Sequence, residues 1–372
     1  DIVLAALSGA ILAISFPQPG FSFLAWIALV PLLLVMQRAP FRYGYVAGIA
    51  FFAVALYWLN IVMVTYGRLH PFLSLVAYLM LVAYLAIYFG GATWLSCRLK
   101  KKLDYPLSLT LPVIWVALEL LRGVFLTGFP WVLVGYSQYD NLILVQSADI
   151  FGVYGISWLI VLANCVVAAF MCWLRESGKR FREGSYAVLL VLLMAANFGY
   201  GAYRLKVGPA DGKPLSLAIV QGNIDQTIKW APENQFRTID TYRRLSEEAS
   251  VRGAELIIWP ESATPFYFQD PSVLQQAVML TPRSTGVPLL TGSPAYEMNR
   301  NRSYTYYNSA FLITADGEIK GRSDKVHLVP FGEYVPFGEF LPFIDKLVEG
   351  IGDFSAGEIN PLSLNGHSLG VL

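Results

Sequence analysis

Residues 255–262 read Glu-Leu-Ile-Ile-Trp-Pro-Glu-Ser, an apolar run that ends at a proline and is followed at once by a carboxylate. A short apolar run closed by a turn residue predicts a buried β-strand, here at 255–259, and proline cannot donate the next hydrogen bond of a central strand. Glu261 therefore lies just beyond the carboxyl end of the strand. Because ligands of α/β sheets bind at that edge, Glu261 is a candidate general base. The alternative interpretation is an ordinary solvated acid in a loop.

Strand and helix patterns alternate on both sides of this run. Helices are predicted at 233–252, where apolar residues recur at helical spacing, and at 271–280. Further strands are predicted at 215–221, 287–292, 306–314 and from residue 368 onward. The alternation indicates an α/β layered domain at 215–372. Its last strand has no partner element in this sequence, so we expect the domain to be incomplete at its carboxyl end.

The residues before this domain are much more apolar. Residues 1–204 hold 13 Lys or Arg and 7 Asp or Glu, whereas residues 205–372 hold 14 and 19. A helix that spans a membrane needs about 20 mostly apolar residues. Seven such helices are predicted, at 2–15, 21–36, 44–64, 72–95, 107–121, 152–174 and 186–203. A linker at 205–214 is expected to join them to the α/β domain.

Charges in the predicted loops set the orientation of these helices. With the amino terminus in the cytoplasm, ten Lys or Arg residues fall in cytoplasmic loops and three on the opposite side, which is the positive-inside distribution. Residues 205 onward then lie outside the bacterial inner membrane, in the periplasm. The net charge of +1 gives no indication of nucleic acid. Only 14% of residues are charged and 14% are aromatic, which excludes a disordered chain.

A second candidate cluster occupies residues 325–333, Lys-Val-His-Leu-Val-Pro-Phe-Gly-Glu. It places Lys325 and Glu333 in an otherwise apolar loop. A lysine near two carboxylates stays charged and can stabilise an oxyanion; the alternative is a surface loop with ordinary ion pairs. The cysteines, Cys97, Cys165 and Cys172, lie in or at the ends of predicted spans, and the three histidines are scattered, so no metal site is predicted.

These motifs together resemble those of the apolipoprotein N-acyltransferase family. They are VQGNI at 220–224, IIWPES at 257–262, KVHLVPFGEYVP at 325–336, LTGFPW at 126–131 and GYSQ at 135–138. The resemblance implies a multi-span helical membrane domain and an extracytoplasmic nitrilase-like (carbon–nitrogen hydrolase) αββα domain. It implies that an acyl chain passes from a phospholipid, through a thioester, to the diacylglyceryl-cysteine amine of an apolipoprotein. No cofactor is implied.

The resemblance also implies roles for single residues. Glu261 matches the general base, Lys325 the oxyanion-stabilising lysine and Glu333 an additional active-site glutamate. The nucleophile of the family is a cysteine that follows the strand matching 367–372. Since no cysteine follows Cys172, we expect the thiol just beyond Leu372, in a longer protein of which this chain is the amino-terminal portion.

Apolar residues near the motifs indicate a lipid substrate independently. Residues 335–350 are strongly apolar and are expected to form a lid that faces the bilayer, although burial against the sheet is the alternative. The loop at 122–151 is expected to form either a wall of a lipid-entry site or an aromatic belt at the membrane interface. The candidate substrate-binding residues are Trp230, Trp131, Asn308, Tyr334, Phe337, Phe340 and Phe343.

Two other functions remain open at this level. A membrane-anchored nitrilase-like amidase would use the same three charged residues with water as acceptor, but seven spans exceed what an anchor needs. A transporter or receptor would carry ionisable residues within its spans, and Glu119, with Arg122 one turn further as its expected partner, is weak support for one. An acyltransferase that acts as a monomer in the bilayer on phospholipids and apolipoproteins accounts for more of the sequence.

Overall fold

The structure is a computed structural model that describes residues 1–67, 69–175, 183–208, 214–330, 332–334 and 354–371. The chain divides into two compact units, Asp1–Thr65 with Leu69–Asp211, and Tyr66–Arg68 with Gly212–Leu372. The first unit is helical, and the second contains the strands. Each unit is described separately.

The helices of the first unit differ greatly in length. The described α-helices are α1 (Ile2–Ile14), α2 (Val30–Val35), α3 (Pro40–Ala55), α4 (Trp58–Thr65), α5 (Pro71–Leu103), α6 (Leu107–Val124), α7 (Leu142–Val145), α8 (Ala148–Arg175) and α9 (Gly184–Val207). Short 3₁₀ helices lie at Ser22–Trp26, Met36–Arg38, Phe125–Thr127 and Val134–Gln138. Long helices therefore alternate with short, broken ones.

Four of the described helices, α5, α6, α8 and α9, are long and apolar enough to cross a membrane. The pair α3 and α4 adds a fifth span if its two parts, bent by 50°, are counted together. The first two predicted spans fall on shorter apolar segments, Ile2–Ile14 and Ser22–Arg38. A membrane domain with several spans is thus confirmed, and the number seven stays a prediction.

Close helix packing in this unit depends on small residues. A Cβ placed on Gly48 of α3 would lie 2.8 Å from the Cα of Ala86 in α5, so only glycine allows this approach. The interior beside this contact is filled by Phe51, Phe52 and Phe89, whose rings contact one another. Many apolar side chains remain exposed on the outer surface, among them Met80, Val124 and Leu192. Such an apolar exterior is suited to lipid rather than to water.

The second unit is built around a mixed five-stranded sheet. Its strands, in spatial as well as chain order, are β1 (Leu217–Ile219), β2 (Leu256–Ile258), β3 (Leu289–Met298), β4 (Tyr304–Ile313) and β5 (Ile319–Asp324). The pairs β1–β2 and β2–β3 are parallel, whereas β3–β4 and β4–β5 are antiparallel. As a result β2 and β5 run in the same direction and end at the same edge of the sheet.

Helices provide the crossovers that parallel strands require. After the short α10 (Gln226–Lys229), α11 (Pro232–Val251) connects β1 to β2, and α12 (Val273–Thr285) connects β2 to β3. One core of the sheet contains Ile257, Trp259 and Phe268, all buried. A separate hairpin, β6 (Leu362–Leu364) with β7 (His367–Leu369), contributes Leu362 and Leu364 to a second small core. The predicted α/β layered fold is confirmed.

Candidate active site

Glu261 lies where the sequence predicts it, two residues after Trp259 at the carboxyl end of β2. Trp259 is buried, and its indole nitrogen donates to the hydroxyl of Ser246 at 2.8 Å. The chain then passes unusually close to β3, because a Cβ on Gly292 would lie 2.7 Å from the Cα of Glu261 and 2.6 Å from the nitrogen of Ser262. The buried tryptophan and the glycine together fix the backbone that carries the carboxylate.

Lys325 comes directly after β5 and reaches the same edge. Its backbone nitrogen donates to the carbonyl of Asn308 at 2.8 Å, which extends the β4–β5 pairing by one bond. Its ammonium nitrogen, Nζ, lies 3.1 Å from Oε1 of Glu261. Because β2 and β5 run in the same direction, Glu261 and Lys325 meet at one edge of the sheet, although they are 64 positions apart in the chain.

Glu333 completes the cluster from the other side of the lysine. Its Oε1 and Oε2 both lie 3.1 Å from Lys325 Nζ, and Oε2 also accepts from the backbone nitrogen of Val329 at 2.7 Å. The same turn is closed by the Glu333 nitrogen, which donates to the Val329 carbonyl at 2.9 Å. The spacing noted in the sequence thus places the lysine between two carboxylates.

Asn308 is the fourth member of the cluster. It is buried in β4, and its side-chain nitrogen donates to Glu261 at 2.5 Å and to Glu333 at 2.8 Å. A neutral amide that donates to both carboxylates holds them in position without adding charge. The sequence prediction for Asn308 concerned substrate binding, whereas the structure shows it bonded to both acids.

The charges of the cluster stabilise the cationic form of the lysine. Burial alone would lower the pKa of Lys325, but the charges of Glu261 and Glu333 and the hydrogen bonds to them raise it above its ordinary value of 10.5. The exposed fractions of the side chains differ, at 62% for Glu261, 20% for Lys325 and 12% for Glu333. The lysine is therefore a fixed positive charge, and Glu261 is the carboxylate that solvent or a substrate reaches most easily.

Lys229 was not among the predicted site residues, although its charge interacts with that of Glu261 in this cluster. It is only 5% exposed, and its Nζ lies 6.0 Å from the centre of the Trp230 ring. Burial lowers the pKa of Lys229, and the negative charge of Glu261 partly opposes that shift. In the sequence, this burial was indicated only by the position of Lys229 between two apolar residues, Ile228 and Trp230.

The other predicted site residues have different outcomes. Trp230 is 37% exposed, and Tyr334 is half-buried beside Glu333. Trp131 belongs to the first unit, where its ring lies 4.9 Å from that of Trp58. Phe337, Phe340 and Phe343, with the whole predicted lid, lie outside the described residues. The structure thus brings together Glu261, Lys325, Glu333 and Asn308.

Both units match families of known proteins. Residues 8–166 match the family model of the apolipoprotein N-acyltransferase N-terminal domain, and residues 216–349 match that of carbon-nitrogen hydrolase. An apolipoprotein N-acyltransferase of Geobacter metallireducens is 45% identical over 378 residues, with 100% of this chain and 72% of the relative covered.

The chain belongs to the apolipoprotein N-acyltransferase family.

Further relatives agree with this assignment. The apolipoprotein N-acyltransferase of Methylococcus capsulatus is 35% identical, with 96% of this chain and 69% of the relative covered. That of Nitrosomonas europaea is 32% identical, with 93% and 67% covered. The family and the apolar helices identify the protein as an acyltransferase of the bacterial inner membrane whose second unit has the carbon–nitrogen hydrolase fold.

The raised pKa of Lys325 leads to a prediction about stability. Because the pKa is higher in the folded protein than in the unfolded chain, the ammonium stabilises the fold below pH 10.5, and this contribution is lost as the pH rises through the raised pKa. Lys325→Met should therefore lower the thermal unfolding temperature by about 3–6 °C at pH 7, and the difference from wild type should shrink above pH 10.5.

The matched control is Lys320→Met, which removes an exposed lysine from β5, the strand that ends just before Lys325. We expect its unfolding temperature to stay within about 1 °C of wild type, because exposed ion pairs contribute little. Thermal unfolding in detergent at several pH values measures both variants. An equal loss of stability in the two variants, or a difference that does not depend on pH, would contradict the assigned role of Lys325.

Proposed function

We propose that the protein transfers an acyl chain from a phospholipid to the amino-terminal diacylglyceryl-cysteine of an apolipoprotein, through a thioester on a cysteine. The observation that carries the proposal is the cluster of Glu261, Lys325 and Glu333 at one edge of a carbon–nitrogen hydrolase sheet. The same chain contains a unit of long apolar helices, which suits a lipid as acyl donor. The relatives compared above are named apolipoprotein N-acyltransferases.

Glu261 is the general base in this proposal. It takes the proton of the cysteine thiol, and the thiolate attacks the ester carbonyl of the phospholipid. When the carbonyl–oxygen bond breaks, the proton passes from Glu261 to the departing hydroxyl of the lysophospholipid. In the second half, the amine of the apolipoprotein attacks the thioester, Glu261 accepts a proton from that amine, and the thiolate leaves. The thiol itself stays the expectation stated from the sequence.

Lys325 and Glu333 have complementary roles. The ammonium of Lys325 stabilises the oxyanion that forms on the carbonyl oxygen in each half-reaction. Glu333 fixes that ammonium at 3.1 Å, and its own position is fixed by Val329 and Asn308. Asn308 also donates to Glu261, so the base and the oxyanion-stabilising charge are positioned by one buried amide. This arrangement costs little reorganisation during the reaction.

The remaining assignments concern lipid contact and placement in the membrane. We propose that Trp230, Tyr334, Trp131, Phe337, Phe340 and Phe343 contact the lipid substrates, the last three from a lid at 335–350. We also propose a monomer with seven spans at 1–204, a linker at 205–214 and a catalytic domain at 215–372 in the periplasm. The amidase alternative uses the same charged cluster but leaves the apolar helices without a purpose beyond anchoring.

The function is tested by acyl transfer in proteoliposomes. Protein expressed from its complete gene is given a radiolabelled phospholipid and a diacylated lipopeptide, and the triacylated product is measured. Glu261→Gln and Lys325→Met should each lower kcat by about 10²-fold or more, because a base or an oxyanion-stabilising group is lost.

Glu318→Gln and Lys320→Met, at exposed positions of the same unit, are the charge-matched controls and should retain wild-type turnover. Wild-type protein that releases ammonia from small amides but transfers no acyl chain would favour the amidase instead. Transfer within about threefold of wild type in Glu261→Gln would contradict the role of the base.

The proposed orientation has its own test. A cysteine introduced at exposed Lys101, on the side assigned to the cytoplasm, should resist a membrane-impermeant maleimide in intact spheroplasts, whereas one at exposed Arg252 in the second unit should react. Both should react after the membrane is permeabilised. The reverse pattern in intact spheroplasts would place the catalytic domain in the cytoplasm.

A further inference from the structure

The loop between α6 and α7 in the first unit is held by polar side chains that are themselves buried. Residues 129–139 carry several large apolar side chains, and the segment begins where the nitrogen of Phe129 donates to the carbonyl of Arg122 at 2.7 Å. Connections between helices are generally more mobile than the helices themselves, so hydrogen bonds that hold the backbone of this one fix its position. The described contacts include three sets of hydrogen bonds that hold this backbone in place, made by Glu119, Ser157 and Gln138 and called ties below.

Glu119 provides the first tie. It lies in α6, is 5% exposed, and accepts on Oε1 from the backbone nitrogen of Val134 at 2.8 Å and from the indole nitrogen of Trp115 at 3.1 Å. The sequence had indicated Arg122 as its partner, and the two opposite charges attract each other, while the Arg122 guanidinium also lies 5.2 Å from the centre of the Phe52 ring. Glu119 therefore uses its buried carboxylate on the loop and on its own helix.

Two further ties lie beside the first. The backbone nitrogen of Gly135 donates to the hydroxyl of Ser157 in α8 at 2.8 Å. The side-chain nitrogen of Gln138 donates to the carbonyl of Ser22 at 2.8 Å, and its oxygen accepts from the indole nitrogen of Trp26 at 3.1 Å. The 3₁₀ helix at Val134–Gln138 is thereby fixed to three other parts of the unit.

The fixed loop carries one wall of an apolar groove. Trp131, 43% exposed, lies with its ring 4.9 Å from that of Trp58 in α4 and 5.3 Å from that of Phe129. The groove has a volume of about 250 Å³ and is lined by Phe16, Leu56, Trp58, Trp131, Val132 and Tyr136. Its lining lacks a charged side chain, so an acyl chain suits it better than a headgroup.

We propose that Glu119 is a positioning residue, which holds the loop at 129–139 so that Trp131 and Trp58 form a groove for an acyl chain of the donor phospholipid. This inference rests on the proposed function. The carboxylate acts through Val134, three residues from Trp131, and does not itself touch the lipid. Because the groove is formed before the lipid binds, the free energy needed to order the loop does not weaken lipid binding.

The test measures KM for phospholipid, KM for lipopeptide and kcat in the proteoliposome assay. Glu119→Ala should raise KM for phospholipid about tenfold, since a buried hydrogen bond to a charged acceptor is lost, and change KM for lipopeptide and kcat less than about threefold. Glu119→Gln retains an oxygen that accepts from Val134 and should rescue KM. The control Asp140→Ala, which removes an exposed carboxylate from the segment just after the loop, should leave all three constants unchanged.

A double variant shows whether Glu119 acts through the tryptophan. In a Trp131→Ala background, adding Glu119→Ala should raise KM for phospholipid less than about twofold, because the two changes remove the same wall. If Glu119→Ala does not fold, Ser157→Ala, which removes the tie to Gly135, should raise the same KM. Wild-type transfer with an unchanged phospholipid KM in Glu119→Ala overturns this inference alone. An inactive wild type instead overturns the proposed function.

Discussion

The ammonium of Lys325, held at 3.1 Å from both Glu261 and Glu333, is the interaction on which the candidate active site depends. Without it two carboxylates would face one another with no positive charge between them, and their like charges would repel. The mixed sheet permits this contact, because β2 and β5 run in the same direction and end at the same edge. Asn308, on the strand beside β5, then binds both acids and makes the cluster rigid.

In the membrane unit, small residues and buried polar side chains fix the position of the backbone. Its helices pack through small residues such as Gly48, while the loop at 129–139 depends on Glu119, Ser157 and Gln138, all buried. Buried polar groups need hydrogen-bond partners, so each of them specifies one position of the backbone. In both units, therefore, a small number of hydrogen-bonded polar side chains fixes the apolar or charged surface that a lipid substrate would meet.

Much of the site could be predicted from the sequence, because its signals are local. Glu261 follows an apolar strand and a proline, and Lys325 and Glu333 share one short loop. Other features depend on contacts between distant segments. The strand predicted at 287–292 continues to Met298 through Pro294, since ten residue pairs with β4 outweigh the weak strand propensity of that stretch. The joint contact of Asn308 with both acids, the burial of Lys229 and the hydrogen-bond partners of Glu119 likewise require the three-dimensional fold.

The central claim is that this cluster generates an acyl-enzyme, and intact-mass spectrometry tests it most directly. Protein from the complete gene is incubated with a phospholipid of defined chain length in the absence of an acceptor. We expect a mass increase of one acyl chain that neutral hydroxylamine removes, because the bond is a thioester, and no increase in Glu261→Gln or Lys325→Met. Wild-type protein that transfers acyl chains without ever gaining this mass would contradict it, as would an undiminished adduct in the two variants.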